Sequence, residues 1–192
     1  VSADLEKCFG DDPETVAETI RLAAGAGIVG GSVEDFSDNP RRPIYEVSLA
    51  VERVAAAVEA ARALPFPFTL TARAENFLRG NPDLDDTIRR LQGFEKAGAD
   101  VLYAPLLPDI AAIKTVCSAV SKPVNVLAGR PNLSVAELAG AGVKRISLGG
   151  LLSRAAFGGL LRAAREIKEH GTFSFAQDAV PYAEINAMMA RT

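Results

Sequence analysis

Two acidic side chains stand at the end of the apolar run that opens the chain. Asp4 and Glu6 are two residues apart, and Gly10 follows where the backbone must turn toward a helix. Side chains two apart on a strand share a face, and two converging carboxylates suit a hard divalent cation such as Mg²⁺. We therefore predict that Asp4 and Glu6 are metal ligands, with Mn²⁺ as an alternative ion. The competing interpretation is two solvated acids in a loop.

Further polar side chains follow the later apolar runs. Glu34 ends the second run, Arg73 and Glu75 follow the third, and Asn125 lies in the fifth. The active site of a parallel α/β fold lies at the C-terminal ends of its strands. Acids from three strands beside one arginine indicate a metal that faces an anionic substrate, so we predict Arg73 and Glu75 as catalytic and Arg73 and Asn125 as substrate-binding residues. The alternative for Arg73 and Glu75 is a structural ion pair.

Alternating strands and helices must position these side chains. Apolar runs predict strands at residues 1–4, 28–34, 68–73, 101–104, 124–127 and 144–148. Helical spacing predicts helices at residues 13–24, 44–64, 84–97, 110–120, 134–139, 151–169 and 182–191. Asp12 before Pro13 marks one helix start, and Ser134 with Glu137 forms a predicted capping box at another.

This alternation, with no hairpin signal, predicts parallel βα units in either a doubly wound sheet or a barrel. The short strands favour a barrel, although six βα units are two fewer than a closed (β/α)₈ barrel contains. Val1 is not a methionine and already lies within a predicted strand. We therefore expect an α/β TIM-type barrel that lacks its first two βα units and belongs to a longer chain. Residues 1–171 would form the barrel, and residues 172–192 a helical tail on the same barrel or on a neighbouring subunit.

Composition narrows the classes of partner. The chain has 192 residues, a net charge of −3 and a pI near 5.3, without a basic run that would predict nucleic-acid binding. No apolar stretch is long enough to predict a membrane span or membrane partner. Two cysteines without metal or disulfide spacing indicate a reduced, cytoplasmic location. Since Arg73 could bind a carboxylate with two parallel hydrogen bonds, a small-molecule carboxylate is the expected partner.

Four motifs resemble, in order, the signatures of the phosphoenolpyruvate mutase/isocitrate lyase superfamily. V-S-A-D-L-E at residues 1–6, followed by F-G, resembles the metal-binding D-x-D/E…G-Y/F-G motif. G-G-S-V-E-D at residues 30–35 resembles the G-x-x-I-E-D strand, and T-A-R-A-E at residues 71–75 resembles the x-A-R-T/V-D/E strand. S-L-G-G at residues 147–150 is similar to the end of the last strand in many members. The resemblance covers essentially the whole chain.

The resemblance implies a modified (β/α)₈ barrel that binds Mg²⁺ through Asp4 and Glu6, with Glu34 reaching the metal through water. It implies that Arg73 binds the substrate carboxylate. Members act on 2-oxo acids or their close relatives at C–C or P–C bonds, and they are typically tetramers that exchange a C-terminal helix. A homo-oligomer, either a tetramer or a dimer, is therefore expected.

Departures from the family pattern bear on the reaction. Isocitrate and methylisocitrate lyases carry a K-K/R-C-G-H loop, but residues 36–43 contain no cysteine or histidine. This argues against a methylisocitrate lyase. The same loop keeps Asn39, which we predict as substrate-binding, although it does not reproduce the mutase loop. Cys8 replaces a usual glycine, and we expect a packed side chain there rather than a reactive thiol.

Three functions remain in competition. The first is a Mg²⁺-dependent C–C lyase or decarboxylase that acts on a small 2-oxo acid through a metal-stabilised enolate. The second is a mutase or hydrolase of P–C bonds in phosphoenolpyruvate- or phosphonopyruvate-like substrates. The third is a barrel that binds a ligand without turnover.

Overall fold

The computed structural model describes residues 1–129 and 133–190 of the chain. Its elements, in chain order, are β1 (Ala3–Asp4), α1 (Pro13–Gly25), β2 (Gly30–Glu34), α2 (Val47–Arg62), β3 (Thr69–Arg73), α3 (Leu84–Lys96), β4 (Val101–Tyr103), α4 (Ile110–Ala119), β5 (Val124–Leu127), α5 (Val135–Gly140), β6 (Arg145–Ser147), α6 (Leu151–His170), a 3₁₀ turn (Ser174–Asp178) and α7 (Tyr182–Met189). Every predicted strand and helix is present. The predicted end of the last helix at Arg191 lies outside the described residues.

The six strands are all parallel and pair in sequence order from β1 to β6. A doubly wound sheet reverses its order at a switch point, so winding in one direction is that of a barrel wall. The sheet is also curled, because Arg145 Nη1 on β6 donates to Thr71 Oγ1 on β3 at 2.8 Å. In a flat sheet these strands would lie about 14 Å apart. The α/β prediction is confirmed as part of a TIM-type barrel, and closure by two further strands stays a prediction.

The contact between Arg145 and Thr71 identifies the concave face of the sheet. Because side chains alternate along a strand, the other face carries apolar residues that pack against the helices. Buried residues of this convex face are Val33, Leu70, Ala72, Leu102 and Val124. The concave face instead carries one row of polar side chains in register across four strands: Glu34, Arg73, Tyr103 and Asn125.

Helix starts follow local hydrogen bonding at most positions. Asp12 accepts a hydrogen bond from the Thr15 amide at the start of α1, and the predicted capping box of α5 is present. Helix α2 begins at Val47, three residues later than predicted, because Ile44 forms an antiparallel bridge with Phe36. This bridge closes the loop of residues 36–43 across its base.

The chain divides into two compact units, Val1–Ser147 and Leu148–Thr192. The first unit contains all six strands and the hydrophobic core. The second contains α6, the 3₁₀ turn and α7, and none of its described residues is buried. None of the helices in the described ranges is both long enough and apolar enough to cross a bilayer. The predicted division at residues 171 and 172, with a tail exchanged between subunits, stays a prediction.

Candidate functional site

Strands β1, β2 and β3 bring two carboxylates to one guanidinium at their C-terminal ends. Arg73 Nη1 lies 3.4 Å from Asp4 Oδ2 and 3.3 Å from Glu34 Oε2. Asp4 also accepts a hydrogen bond of 2.9 Å from the Ser32 hydroxyl, and 62% of its side chain is exposed. Glu34 is buried. Two carboxylates of different exposure therefore converge on a single cationic nitrogen.

A second arginine, Arg79, completes a ring in which acidic and basic side chains alternate. Glu75 holds Arg73 Nε at 2.5 Å with one oxygen and Arg79 Nε at 2.9 Å with the other. Glu34 faces both guanidinium groups, because Arg79 Nη2 lies 3.6 Å from its Oε1. The Arg79 guanidinium also stacks on Phe36 at 3.4 Å from the ring centre. Arg79 was not predicted from the sequence. Its spacing of four residues from Glu75 was the signal that could have indicated an ion pair.

Two buried acids of this region, Glu34 and Asp35, have perturbed pKa values. Burial, followed by repulsion from Glu75, raises the pKa of Glu34 to about 7, and Arg73 only partly opposes this. Burial likewise raises the pKa of Asp35 to about 6, against hydrogen bonds from the Glu75 amide and Arg90. Asp35 thus fixes the backbone of Glu75. Three carboxylates, those of Asp4, Glu34 and Glu75, thus face the two guanidinium groups of Arg73 and Arg79.

Strands β4, β5 and β6 supply an uncharged wall beside Arg73. The Arg73 guanidinium lies over the Tyr103 ring at 5.2 Å, and burial raises the pKa of the Tyr103 hydroxyl. Asn125 Nδ2 donates to Ser147 Oγ at 3.0 Å, whereas Asn125 Oδ1 is buried without a hydrogen-bond partner. An orphaned acceptor is costly to bury, so this amide is suited to a ligand group. Tyr103 and Ser147 were not assigned a role from the sequence.

The remaining predicted residues lie at the edge of this arrangement. The Glu34 amide donates to the Glu6 carbonyl at 3.0 Å, while the Glu6 residue itself is exposed and has a positive φ of 50°. Asn39 is exposed, and its side-chain oxygen accepts a hydrogen bond from the Arg41 amide within the same loop. The structure therefore brings Asp4, Glu34, Arg73 and Glu75 together, whereas the side-chain hydrogen bond of Asn39 stays within its own loop.

The donor set fits a hard cation, although it is not preassembled around one. Within the described part of the chain, no three His, Cys, Asp or Glu side chains form a ready metal cluster. However, Asp4 and Glu34 already point at one cationic nitrogen, and their oxygen donors are those that Mg²⁺ takes.

Cys8 lies in the loop after β1 but does not face the site as a reactive thiol. The residue is fully buried, and burial raises the pKa of its thiol to about 12. A thiol with this pKa is protonated at neutral pH and is a poor nucleophile. Cys8 is therefore a packed side chain, as expected from its type.

Comparisons with known proteins show to which family the chain belongs. A family model described as phosphoenolpyruvate phosphomutase matches residues 1–168. The solved structure of a candidate lyase/mutase from Burkholderia cenocepacia J2315 is 60% identical, with a TM-score of 0.94, and the match covers 99% of this chain and 69% of that one. An uncharacterised protein of Mycobacterium tuberculosis is 28% identical over 98% of this chain and 68% of its own length. The probable 2-methylisocitrate lyase 1 of Corynebacterium glutamicum is 29% identical over 90% of this chain and 58% of its own.

More distant solved structures share the fold. A 2,3-dimethylmalate lyase, itself a member of the phosphoenolpyruvate mutase/isocitrate lyase superfamily, matches with a TM-score of 0.80 at 20% identity, covering all of this chain and 71% of that one. A phosphonopyruvate hydrolase, solved with oxalate and Mg²⁺, matches with a TM-score of 0.79 at 22% identity, covering 99% of this chain and 71% of that one. The family model spans most of the chain and includes the strands that carry the site. The chain therefore belongs to the phosphoenolpyruvate mutase/isocitrate lyase superfamily of enzymes.

Proposed function

We propose that the protein is a Mg²⁺-dependent lyase or decarboxylase that cleaves a C–C bond in a small 2-oxo acid or related carboxylate. The observation that supports this is the convergence of the Asp4 and Glu34 carboxylates on Arg73 Nη1 at the C-terminal ends of neighbouring strands. Acidic and basic side chains are thus paired at the C-terminal ends of the strands, where a barrel enzyme binds its substrate.

Different residues of this chain would bind the ion and the substrate. Asp4, Glu6 and Glu34 would hold the ion, Glu34 through water. When bound, Mg²⁺ supplies Lewis-acid polarisation of a carbonyl oxygen. Arg73 would bind the substrate carboxylate through charge-assisted hydrogen bonds, which are stronger than neutral ones.

Glu75 and Asn125 would act around Arg73. Glu75 is fully buried and holds one arginine with each oxygen, so its contacts favour positioning of Arg73 over direct chemistry. Its predicted catalytic role stays a prediction. Asn125 would bind the part of the substrate that faces β5, through the amide group that has an unpartnered oxygen. The exposed Asn39 would have to move with its loop to reach a substrate.

A P–C mutase or hydrolase is the second candidate function. The description of the matching family model, phosphoenolpyruvate phosphomutase, favours it. Against methylisocitrate lyase activity stands the loop of residues 36–43, which contains no cysteine or histidine to serve as the catalytic thiol or its partner. Neither C–C decarboxylation nor P–C chemistry at this site requires that thiol.

Turnover of the full-length protein on a substrate panel tests these candidates. The panel contains oxaloacetate, 2-methylisocitrate, dimethylmalate, phosphonopyruvate and phosphoenolpyruvate, each with Mg²⁺ and with chelator. We expect chelator-sensitive turnover of one carbon acid. Asp4→Asn is the test variant, because it keeps the size of the side chain and removes its charge. It should abolish the response of turnover to Mg²⁺.

Three other outcomes of these measurements would each support a different conclusion. Turnover of the phosphorus compounds alone would establish the P–C reaction. Mg²⁺ binding without turnover of any compound would support a ligand-binding barrel. An Asp4→Asn enzyme that still responds to Mg²⁺ would move the metal to other residues.

We propose in addition that the enzyme works in the cytoplasm as a homo-oligomer, a tetramer or a dimer. Its two cysteines are both free, which suits a reduced compartment. Exposed apolar side chains on α6 and α7 support association between copies.

A further inference from the structure

A buried arginine on α2 supports the loop that follows β1. Arg53 is 1% exposed, and its guanidinium donates to three backbone carbonyls of this loop. Its Nη1 lies 2.7 Å from the Gly10 oxygen and 2.6 Å from the Asp11 oxygen, and its Nη2 lies 2.6 Å from the Lys7 oxygen. Carbonyl dipoles, rather than a direct ion pair within the described residues, therefore compensate this buried charge.

The loop needs such support because its backbone is strained. Glu6, Cys8 and Phe9 have φ values of 50°, 58° and 60°, although none of them is glycine. This left-handed conformation is unfavourable for residues with a Cβ, and it persists only where the surroundings enforce it. One end of the strained segment is fixed by the ladder bond from the Glu34 amide to the Glu6 carbonyl. The hydrogen bonds from Arg53 hold the other end of this segment.

A tyrosine completes the attachment. The Arg53 guanidinium lies over the Tyr45 ring at 4.5 Å, and the Tyr45 hydroxyl donates to Asp11 Oδ1 at 2.6 Å. Tyr45 follows the loop of residues 36–43, and its amide donates to the Asp35 carbonyl. Arg53 and Tyr45 thus connect the β1 loop to the strand end that carries Glu34.

We propose that Arg53 is a positioning residue for the candidate metal site, which it serves by holding the β1 loop in the strained conformation in which the Glu6 amide donates to Asp4 Oδ1 at 3.3 Å. This inference rests on the proposed function only where it concerns the metal. Without the three hydrogen bonds from Arg53, the loop would relax toward right-handed backbone angles. The Glu6 amide would then lose its hydrogen bond to Asp4 Oδ1, and Glu6 would no longer be held next to Asp4, while β1 stayed in place.

The test uses Arg53→Lys in the full-length protein, with Arg62→Lys as the matched control. Arg62 lies on the same helix, donates to the backbone carbonyls of Phe68 and Gly98, and pairs with Asp100. Its contacts in the described part of the chain do not include the β1 loop. Three quantities are measured for each protein: the Kd for Mg²⁺ by calorimetry, the hydrogen exchange of residues 5–11 without metal, and the Tm.

We expect Arg53→Lys to weaken Mg²⁺ binding by about 10- to 100-fold, as loss of a residue that orients metal ligands does. Exchange of the loop amides should accelerate in the same variant, whereas Arg62→Lys should change neither quantity. Adding Phe9→Gly to Arg53→Lys should restore part of the affinity, because glycine tolerates the positive φ without support. Phe9 is 82% exposed, so this substitution removes little packing.

A folded Arg53→Lys protein with wild-type loop exchange and wild-type Mg²⁺ affinity would overturn the inference. A lower Tm with both quantities unchanged would do the same, since it would show a purely structural arginine. If Arg53→Lys fails to fold, Tyr45→Phe removes only the hydrogen bond to Asp11, and unchanged loop exchange there would count against the proposal. Failure of the wild-type protein to bind Mg²⁺ would contradict the proposed function instead, and the exchange measurement would still decide the role of Arg53.

Discussion

Arg73 is the side chain at which the charges of the candidate site meet. It contacts Asp4 and Glu34 with Nη1 and Glu75 with Nε, and its guanidinium covers the Tyr103 ring. Because Glu34 and Glu75 are both buried, deleting Arg73 altogether would leave these two interior carboxylates to share Arg79. Arg73→Lys keeps the positive charge but loses the planar guanidinium group. This substitution therefore tests the geometry of binding separately from the net charge of the site.

We expect Arg73→Lys to raise KM for the carboxylate substrate by about 30-fold or more, because loss of a buried charge-assisted contact costs about 2 kcal/mol or more. Steady-state kinetics provide the measurement, and circular dichroism checks folding. An unchanged KM in a folded protein would remove Arg73 from the substrate site.

Asp86 gives a pH-dependent prediction away from the candidate metal ligands. It accepts hydrogen bonds of 2.7 Å from Arg90 Nε and 2.8 Å from Asn76 Nδ2. Burial by itself raises the pKa of Asp86, but these hydrogen bonds outweigh it and lower the pKa below the ordinary value of 3.8. A lowered folded-state pKa adds stability above the unfolded-state pKa, and this stability is lost as the pH falls through the folded-state value.

Asp86→Asn should therefore reduce the free energy of unfolding at pH 7 by about 1–2 kcal/mol, the contribution of hydrogen bonds to a charged group. The difference from wild type should shrink as the pH falls below about 4. Urea unfolding from pH 7 to pH 3 measures it. A difference that stays constant over this range would show that the charge of Asp86 is not responsible.

At the scale of elements, local signals explain most helix starts, and nonlocal pairing explains the exception. The capping box of α5 was predicted from two residues and is present in full. Helix α2 was predicted to begin at Ile44, but that residue pairs with Phe36 across the loop. Helical periodicity carries no information about a bridge to a residue eight positions earlier, so the sequence could not indicate the later start.

Ser134→Ala should lower the free energy of unfolding by about 1 kcal/mol, because it removes the side chain that caps α5. Ser118→Ala is the matched control, since Ser118 is exposed within α4 and alanine favours a helix. Thermal or urea unfolding compares the two variants. Equal effects at both positions would argue against the contribution of the cap.

At the scale of the whole molecule, the first unit has its own core and the second presents apolar surface. The hydrophobic core lies entirely within Val1–Ser147. On α6, by contrast, Leu152, Phe157 and Leu160 are 70%, 62% and 62% exposed. Apolar side chains exposed together on one element are typical of an interaction surface, and this supports the proposed homo-oligomer.

Leu160→Glu should shift the protein from a dimer or tetramer toward lower mass in light scattering, because it places a charge in the apolar surface of α6. The Tm of any dissociated form should reflect the core of the first unit, which this substitution does not touch. Lys168→Glu on the same helix changes charge without removing an apolar side chain, and it should leave the mass unchanged. A monomeric wild-type protein would contradict this prediction.

The sequence by itself determined the alternation of strands and helices, the parallel class of the sheet, and the placement of Asp4, Glu34 and Arg73 at strand ends. These features depend on local periodicity, caps and turns, which neighbouring residues encode. Only the tertiary structure decided which groups meet: the ring through Arg79, the contacts of Arg53 with the β1 loop, and the hydrogen bond that keeps Asn39 within its own loop. Such contacts depend on strand register and sheet curvature, because they join residues from different elements, up to 69 positions apart for Arg73 and Asp4.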